Sequence, residues 1–116
     1  MLLILELIGQ RAGSLGRNSR RVFQTEGGTI GRSADCTWVL PEAWVSGLHA
    51  RIEFADGVFS ITDTSSNGVG LPDLGLELQV GQSRAIVNGD RFEIGEYRIQ
   101  ATLLDADGLP IMPVAS

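Results

Sequence analysis

The 116-residue sequence has little cysteine and no long apolar run. Its one cysteine, Cys36, cannot form a disulfide within the chain, and no spacing of side chains suggests a metal cage, so we expect no metal and no other cofactor. Cys36 is interpreted as a small buried apolar residue. The apolar stretch at residues 1–8 is interrupted by Glu6 and is shorter than the roughly 20 residues that span a bilayer. It is therefore predicted to be a strand, and no membrane insertion is expected.

Basic residues are also few. Nine Lys and Arg residues against fourteen Asp and Glu residues give a formal net charge of -5. Binding to nucleic acid depends on neutralising many phosphates with basic side chains, so we do not expect a nucleic-acid partner. A few well-aimed donors can still hold one phosphate group. The single cysteine suits a reducing compartment, and the expected location is the cytoplasm.

Short strands separated by turn signals recur along the chain. Apolar and polar residues alternate within many of them, and Asp56-Gly57 is a strong signal for a two-residue hairpin. This pattern predicts an all-β sandwich of two mostly antiparallel sheets with about eleven short strands. The predicted strands are residues 1–8, 20–25, a strand beginning at 29, 37–40, 49–55, 58–63, 69–71, 76–78, 84–87, 91–94 and 97–104.

Two regions are predicted from this organisation. Residues 1–104 form the folded domain, and residues 105–116, with two prolines and no periodicity, form a tail or the start of a linker. The stretch at 105–108 is superficially similar to a calcium-binding loop, but the closing Glu is missing, so no metal is assigned to it.

Three loops carry residues suited to binding an anion, and in a sandwich such loops cluster at the ends. In the first, Arg32 offers a planar fork of donors that matches phosphate oxygens. In the second, Ser46 offers a hydroxyl, and both ring nitrogens of His49 can tie neighbouring loops together. In the third, Asn67 carries an amide that can donate and accept. Taken alone, each loop is more typical of an ordinary polar surface loop than of a binding site.

The order and spacing of the motifs nevertheless resemble those of the forkhead-associated (FHA) family over roughly residues 2–104. This resemblance implies an FHA-type β-sandwich that binds phosphothreonine in a partner protein. The segments that carry it are Gly28-Thr29-Ile30-Gly31-Arg32, His49-Ala50-Arg51-Ile52, Asp63-Thr64-Ser65-Ser66-Asn67-Gly68 and Gly89-Asp90-Arg91-Phe92-Glu93-Ile94-Gly95, together with the Ser46-x-x-His49 pattern.

The resemblance assigns a role to each matching position in the binding loops. It implies that Arg32 and Ser46 bind the phosphate. It implies that Ser66 adds a contact near the phosphate or the threonine methyl group, and that Asn67 holds the peptide backbone.

Other positions support the loops or depart from the family pattern. Gly31, His49 and Gly68 are implied to support the loop structure. In the family, the position of Gly47 is often Arg or Asn and contacts the ligand. The position of Leu48 is often basic in the family and can assist in binding the phosphate. Losing a second charged donor predicts a weaker or more selective pocket, or one that binds an unphosphorylated partner. The alternative function is therefore a phosphate-independent docking module.

The segment at residues 38–46 contains a Leu-Pro pair ahead of Ser46 and resembles the amino-terminal FHA domains of bacterial type VI secretion proteins. This implies a role in assembly of a type VI secretion system downstream of a Ser/Thr kinase. The partner would be a phosphothreonine-containing protein, such as that kinase or a secretion component. Trp44 would then lie beside the recognition loop; alternatively, it covers the core.

An enzymatic function is a third hypothesis. A hydrolase could in principle combine Ser46 or Ser66 with His49 and Asp63, but the Gly-x-Ser-x-Gly motif is missing from the sequence. We therefore expect no catalytic residues and no enzyme activity.

Overall fold

The computed structural model describes residues 1–65 and 67–111, and within them eleven strands form two sheets. Two short 3₁₀ turns, Gly9–Arg11 and Gly16–Ser19, lie between the first two strands. The strands are β1 (Leu2–Ile8), β2 (Arg20–Phe23), β3 (Gly28–Gly31), β4 (Trp38–Val39), β5 (Ala50–Ala55), β6 (Val58–Asp63), β7 (Val69–Leu71), β8 (Leu76–Leu78), β9 (Ser83–Ala85), β10 (Arg91–Ile94) and β11 (Tyr97–Leu104).

The two sheets have six and five strands. The larger has the order β2-β1-β11-β10-β7-β8, and the smaller has the order β4-β3-β5-β6-β9. The recorded strand pairs are antiparallel except for β3 and β4, which run parallel. The predicted fold class, an all-β sandwich of mostly antiparallel sheets, is confirmed.

Alternation along the strands places one face of each sheet in the core. Leu3, Leu5 and Leu7 of β1 are buried. Every residue of β1 pairs with β11, from Leu2 opposite Leu104 to Ile8 opposite Arg98. Burying such side chains stabilises the fold by roughly 25 cal/mol for each Å² of apolar surface removed from water. The largest fully buried side chains in the core are Trp38, Phe23, Phe59 and Phe92.

The hairpin between β5 and β6 matches its sequence signal. Asp56 and Gly57 both have positive φ, 54° and 80°, as a type I′ turn requires. The turn sets the register in which Ala55 faces Val58 and Ile52 faces Ile61. The register keeps Ile52, Phe59 and Ile61 in the core.

Several strand boundaries differ from the predicted ones. β2 ends at Phe23 because a turn begins at Gln24, whose carbonyl accepts a bond from Gly27 N at 2.9 Å. The predicted loop at residues 9–19 contains the two 3₁₀ turns, and Asn18 O accepts a bond from the indole of Trp38 at 2.6 Å. A local sequence pattern does not predict contacts of this kind, because the two residues are far apart in the sequence.

The described part of the predicted tail turns back toward the sandwich. Asp105 Oδ1 accepts bonds from Asp107 N and Leu109 N, and Ile111 N donates to Leu103 O at 2.8 Å. The division at residue 104 stays a prediction. Within residues 1–65 and 67–111, no helix is long and apolar enough to cross a membrane.

Candidate functional site

Three loops meet at one end of the sandwich, and we call this end the loop rim. They are residues 32–37 between β3 and β4, residues 40–49 between β4 and β5, and residues 64, 65, 67 and 68 between β6 and β7. The first two are joined by backbone bonds: Arg32 N donates to Ser46 O at 2.9 Å, and Ser33 N donates to Gly47 O at 3.1 Å. These bonds hold the backbone of Arg32 beside that of Ser46.

Gly31 allows the first two loops to approach each other. A Cβ at this position would overlap Gly47 O, lie 2.9 Å from Gly47 C and lie 3.0 Å from Cys36 Sγ. Its φ is not in the left-handed region, so the demand for glycine comes from close packing. Cys36 Sγ also donates to Gly47 O at 3.3 Å. Cys36 is partly exposed, so its interpretation as a small buried residue was wrong.

His49 joins the second and third loops to β3 from a fully buried position. Nδ1 accepts a bond from Ser46 N at 3.0 Å, and Nε2 faces Gly68 O at 2.8 Å. Because Nδ1 faces an N–H and Nε2 faces a carbonyl, the tautomer with hydrogen on Nε2 satisfies both. The backbone N–H of His49 donates to Ile30 O at 2.8 Å. Both ring nitrogens are thus occupied by backbone groups, and neither is placed to take a proton from a serine nucleophile.

The third loop is shaped by a network that the sequence analysis did not identify. Oδ1 of the fully buried Asp63 accepts bonds from the backbone N–H of Ser65 at 2.7 Å and from its hydroxyl at 2.6 Å. The Ser65 hydroxyl in turn accepts a bond from Gly68 N at 2.6 Å. The Asp-x-Ser spacing is a signal for such a turn. Asp63 Oδ2 has no hydrogen-bond partner among the described residues.

Arg32 is exposed on the first loop. The ion pairs within the described residues join Arg11 to Glu96, Arg51 to Glu53, Arg91 to Asp73 and Arg98 to Glu93. The guanidinium of Arg32 is therefore not neutralised by a carboxylate in the described part of the chain. Its charge is available to an anion arriving from solvent.

The other residues of the second loop offer a mixed surface. Ser46 is half-buried, and Leu48 is 44% exposed. Gly47 is exposed and has no neighbour within 4 Å of its Cβ position. A side chain at residue 47 would therefore have room, so the structure does not require glycine there.

Asn67 and Trp44 form the far side of the loop rim. Asn67 Nδ2 donates to Trp44 O at 2.9 Å, and the Trp44 side chain is 63% exposed. Its interpretation as a cover for the core was wrong, because Val45 rather than Trp44 turns into the core. Ser66 lies outside the described residues, so its predicted contact stays a prediction.

Beside the loop rim lies a cleft of about 360 Å³ that sequence reasoning missed. We call it the acidic cleft because three glutamates line it. The three glutamates come from separate segments between β8 and β11, so no local sequence motif predicts that they lie together. The lining residues are Trp44, Asn67, Gly68, Gly70, Glu77, Glu93, Gly95 and Glu96.

The arrangement suits binding better than chemistry. The loop rim carries the guanidinium of Arg32, which has no ion pair among the described residues, and the exposed amide of Asn67, while the one histidine is held between backbone groups. Among the described residues, no group of three or more His, Cys, Asp or Glu residues could hold a metal ion.

Comparison with known proteins adds an independent finding. A family model described as the FHA domain matches residues 28–95, which is more than half of the chain. The chain is also similar to the probable serine/threonine-protein kinase fhkA of Dictyostelium discoideum, with 39% identity over 77 residues. The match covers 59% of this chain but only 13% of that kinase.

Two solved structures are similar in fold. Mycobacterium tuberculosis EmbR, in complex with a low-affinity phosphopeptide, shares 27% identity with a TM-score of 0.69, covering 86% of this chain and 24% of that chain. The N-terminal FHA domain of S. cerevisiae Rad53p, in complex with a phosphothreonine peptide, shares 17% identity with a TM-score of 0.70, covering 87% and 92%. At this identity, the second likeness shows the fold alone.

Proposed function

The chain belongs to the FHA domain family, which is a family of interaction modules, and from this premise we propose that its loop rim binds phosphothreonine in a partner protein. The observation that carries the proposal is the state of Arg32. Its side chain is exposed and free of carboxylates in the described part of the chain, while its backbone is hydrogen-bonded to Ser46.

Each residue of the loop rim has a physical role in this proposal. The guanidinium of Arg32 donates to two phosphate oxygens at once. Ser46 and, by family resemblance, Ser66 add hydroxyl donors. The Asn67 amide uses one N–H on Trp44 O, which leaves its second N–H and its oxygen for the backbone of the peptide.

The pocket is expected to be weak because it holds one cation. Within the three loops, Arg32 is the one Lys or Arg residue in the sequence, and Gly47 and Leu48 supply no charge. A hydrogen bond to a charged group contributes roughly 1.5–3 kcal/mol, against about 1 kcal/mol for a neutral one. A second cation would therefore be expected to tighten binding by about tenfold or more.

The test is a titration of a phosphothreonine peptide and its unphosphorylated twin, measured by calorimetry. We expect tighter binding of the phosphorylated form and a loss of that difference in Arg32→Ala. Arg21→Ala is a matched control, because Arg21 is an exposed arginine on β2 that belongs to none of the ion pairs between described residues. Unchanged phosphopeptide affinity in Arg32→Ala would rule out the mechanism. Equal affinity for both peptides would favour phosphate-independent docking.

We also propose a cellular role, which the segment at residues 38–46 supports by resemblance alone. In this role the domain acts in the cytoplasm, downstream of a Ser/Thr kinase, and promotes assembly of a type VI secretion system. Its partner is the kinase or a phosphorylated secretion component. The test is Arg32→Ala in the producing cell: unaltered secretion, with the protein present at its normal level, would contradict this role.

A further inference from the structure

A cleft of about 300 Å³ lies at the end of the sandwich opposite the loop rim. β5 begins at the loop rim and ends at the Asp56-Gly57 hairpin, and β6 returns from that hairpin to the loop rim, so the hairpin marks the far end. We call this space the apolar cleft because apolar side chains from separate segments line it, among them Met1, Val58, Ile86, Val87, Leu103 and Ile111.

The walls of the apolar cleft favour an apolar occupant. Val58 is 45% exposed and Val87 is 41% exposed, so two valine side chains remain open to solvent there. The one polar side chain on the wall is that of Asn88, whose Oδ1 already accepts a bond from Leu103 N at 3.0 Å. A water molecule in the cleft would find few polar partners, whereas an apolar side chain would find a matching surface.

The chain itself leads to this cleft. After β11 it turns back, and Leu104 and Pro110 form an antiparallel bridge. Ile111 N then donates to Leu103 O at 2.8 Å, and the side chain of Ile111 packs against the core and lines the cleft. The described part of the chain therefore ends on the wall of the apolar cleft.

Further pairing beside β11 is blocked at this point. The next two ladder bonds would use Leu103 N and Ala101 O. Leu103 N already donates to the Asn88 side chain, and Ala101 O already accepts a bond from Gly89 N at 2.8 Å. The residue that would donate to Ala101 O is Pro113, which has no N–H. The chain that follows therefore cannot extend the sheet, and the nearest apolar surface open to it is the cleft.

We infer that residues 112–116, which lie outside the described residues, close the apolar cleft by placing the side chains of Met112 and Val114 against Val58 and Val87. The composition of this segment fits, because none of its side chains is charged. Its length fits as well: a space of about 300 Å³ is about two extended residues across, and five residues are available. The inference does not rest on the proposed function, because the apolar cleft and the loop rim lie at opposite ends.

The first test is methyl NMR of the full chain with labelled methionine and valine methyl groups. The chain has two methionines, so Met112→Ala identifies the signal of Met112. We expect nuclear Overhauser contacts from the Met112 methyl group to Val58 and Val87. Samples that mix labelled and unlabelled chains distinguish contacts within one chain from contacts between copies. Contacts to neither valine, or contacts between copies alone, would overturn the inference.

The second test is thermal unfolding. Met112→Ser is expected to lower the Tm by about 4–8 °C, as for the loss of one partly buried methionine side chain. Leu109→Ser is the matched control, because Leu109 precedes the same segment, is 61% exposed and does not line the cleft; it should change the Tm by less than about 2 °C. Val87→Ser combined with Met112→Ser should cost less than the sum of the single losses, because the two side chains share one contact. Equal losses in Met112→Ser and Leu109→Ser, or additive losses in the double variant, would overturn the inference.

Discussion

Replacing Gly31 by alanine tests the packing that holds the loop rim together. The added Cβ would overlap Gly47 O and lie 2.9 Å from Gly47 C and 3.0 Å from Cys36 Sγ. Carbon atoms are at their optimum at about 3.5–4.0 Å, so the two loops must separate. The two nearest atoms, O and C of Gly47, are backbone atoms, which cannot swing aside as a side chain would.

The expected loss of folding stability follows from the contacts that the separation of the two loops disrupts. Overpacking of this kind destabilises a protein by about 1–3 kcal/mol. The two bonds between the loops, from Arg32 N and Ser33 N, add about 1 kcal/mol for each one that breaks. In a domain of this size each kcal/mol lowers the Tm by about 4 °C. Gly31→Ala is therefore expected to lower the Tm by roughly 4–12 °C if both bonds survive.

Gly47→Ala is the matched control, because Gly47 is the residue that a Cβ at Gly31 would strike. Gly47 itself has no neighbour within 4 Å of its Cβ position, and its φ lies outside the left-handed region. Its substitution should be neutral or stabilising by up to about 1 kcal/mol, through the lower entropy of the unfolded chain. The assay is thermal and urea unfolding of both variants beside the wild type. Equal effects of the two substitutions, or no effect of Gly31→Ala, would refute the reasoning.

Three further predictions follow from the site. Gly47→Arg should tighten phosphopeptide binding by about tenfold, whereas Gly13→Arg, at a glycine that is equally open but distant in sequence, should leave the affinity unchanged. If calorimetry finds the same affinity for both variants, the prediction of a pocket with a single cation is contradicted. His49→Ala removes two ring hydrogen bonds and leaves a cavity, so the free energy of unfolding should fall by about 3 kcal/mol or more; a loss below about 1 kcal/mol in urea unfolding would show that the ring does not hold the loops. Burial raises the pKa of Tyr97 above the ordinary tyrosine value of 10.0, so the folded state binds the phenol proton more tightly than the unfolded state does. The stability that this tighter proton binding contributes is fully present below about pH 10 and is lost as the pH rises through the pKa of Tyr97 in the folded state. Tyr97→Phe should lack this loss, and identical profiles of unfolding free energy against pH for the two proteins would refute the prediction.

Much of the fold could be predicted because its signals are local. Strict alternation in β6 and β11 identifies strands whose bounds match the structure at both ends. Asp56-Gly57 identifies its hairpin because few residue pairs adopt positive φ at both positions. The candidate residues of the loop rim were predictable for another reason: their order and spacing form a pattern that resembles a known family.

The features that escaped prediction depend on contacts between distant segments. The Trp44 ring had two possible places, and only the packing of Val45 into the core and the bond from Asn67 left it facing solvent. The acidic cleft draws its glutamates from β8, β10 and the turn that follows. No window of sequence contains them together.

By itself, then, the sequence determined the class of fold, the positions of most strands and the residue types of the three loops, because hydrophobic alternation and turn chemistry act over a few residues. The tertiary structure alone decided which of these residues meet. The close contact between Gly31 and Gly47, the two hydrogen bonds of the His49 ring and the shared border of Glu77 and Asp63 at Gly68 all depend on how the folded chain brings separate loops and strands together. Such contacts are set by shape and distance in the folded chain, which residue order does not specify locally.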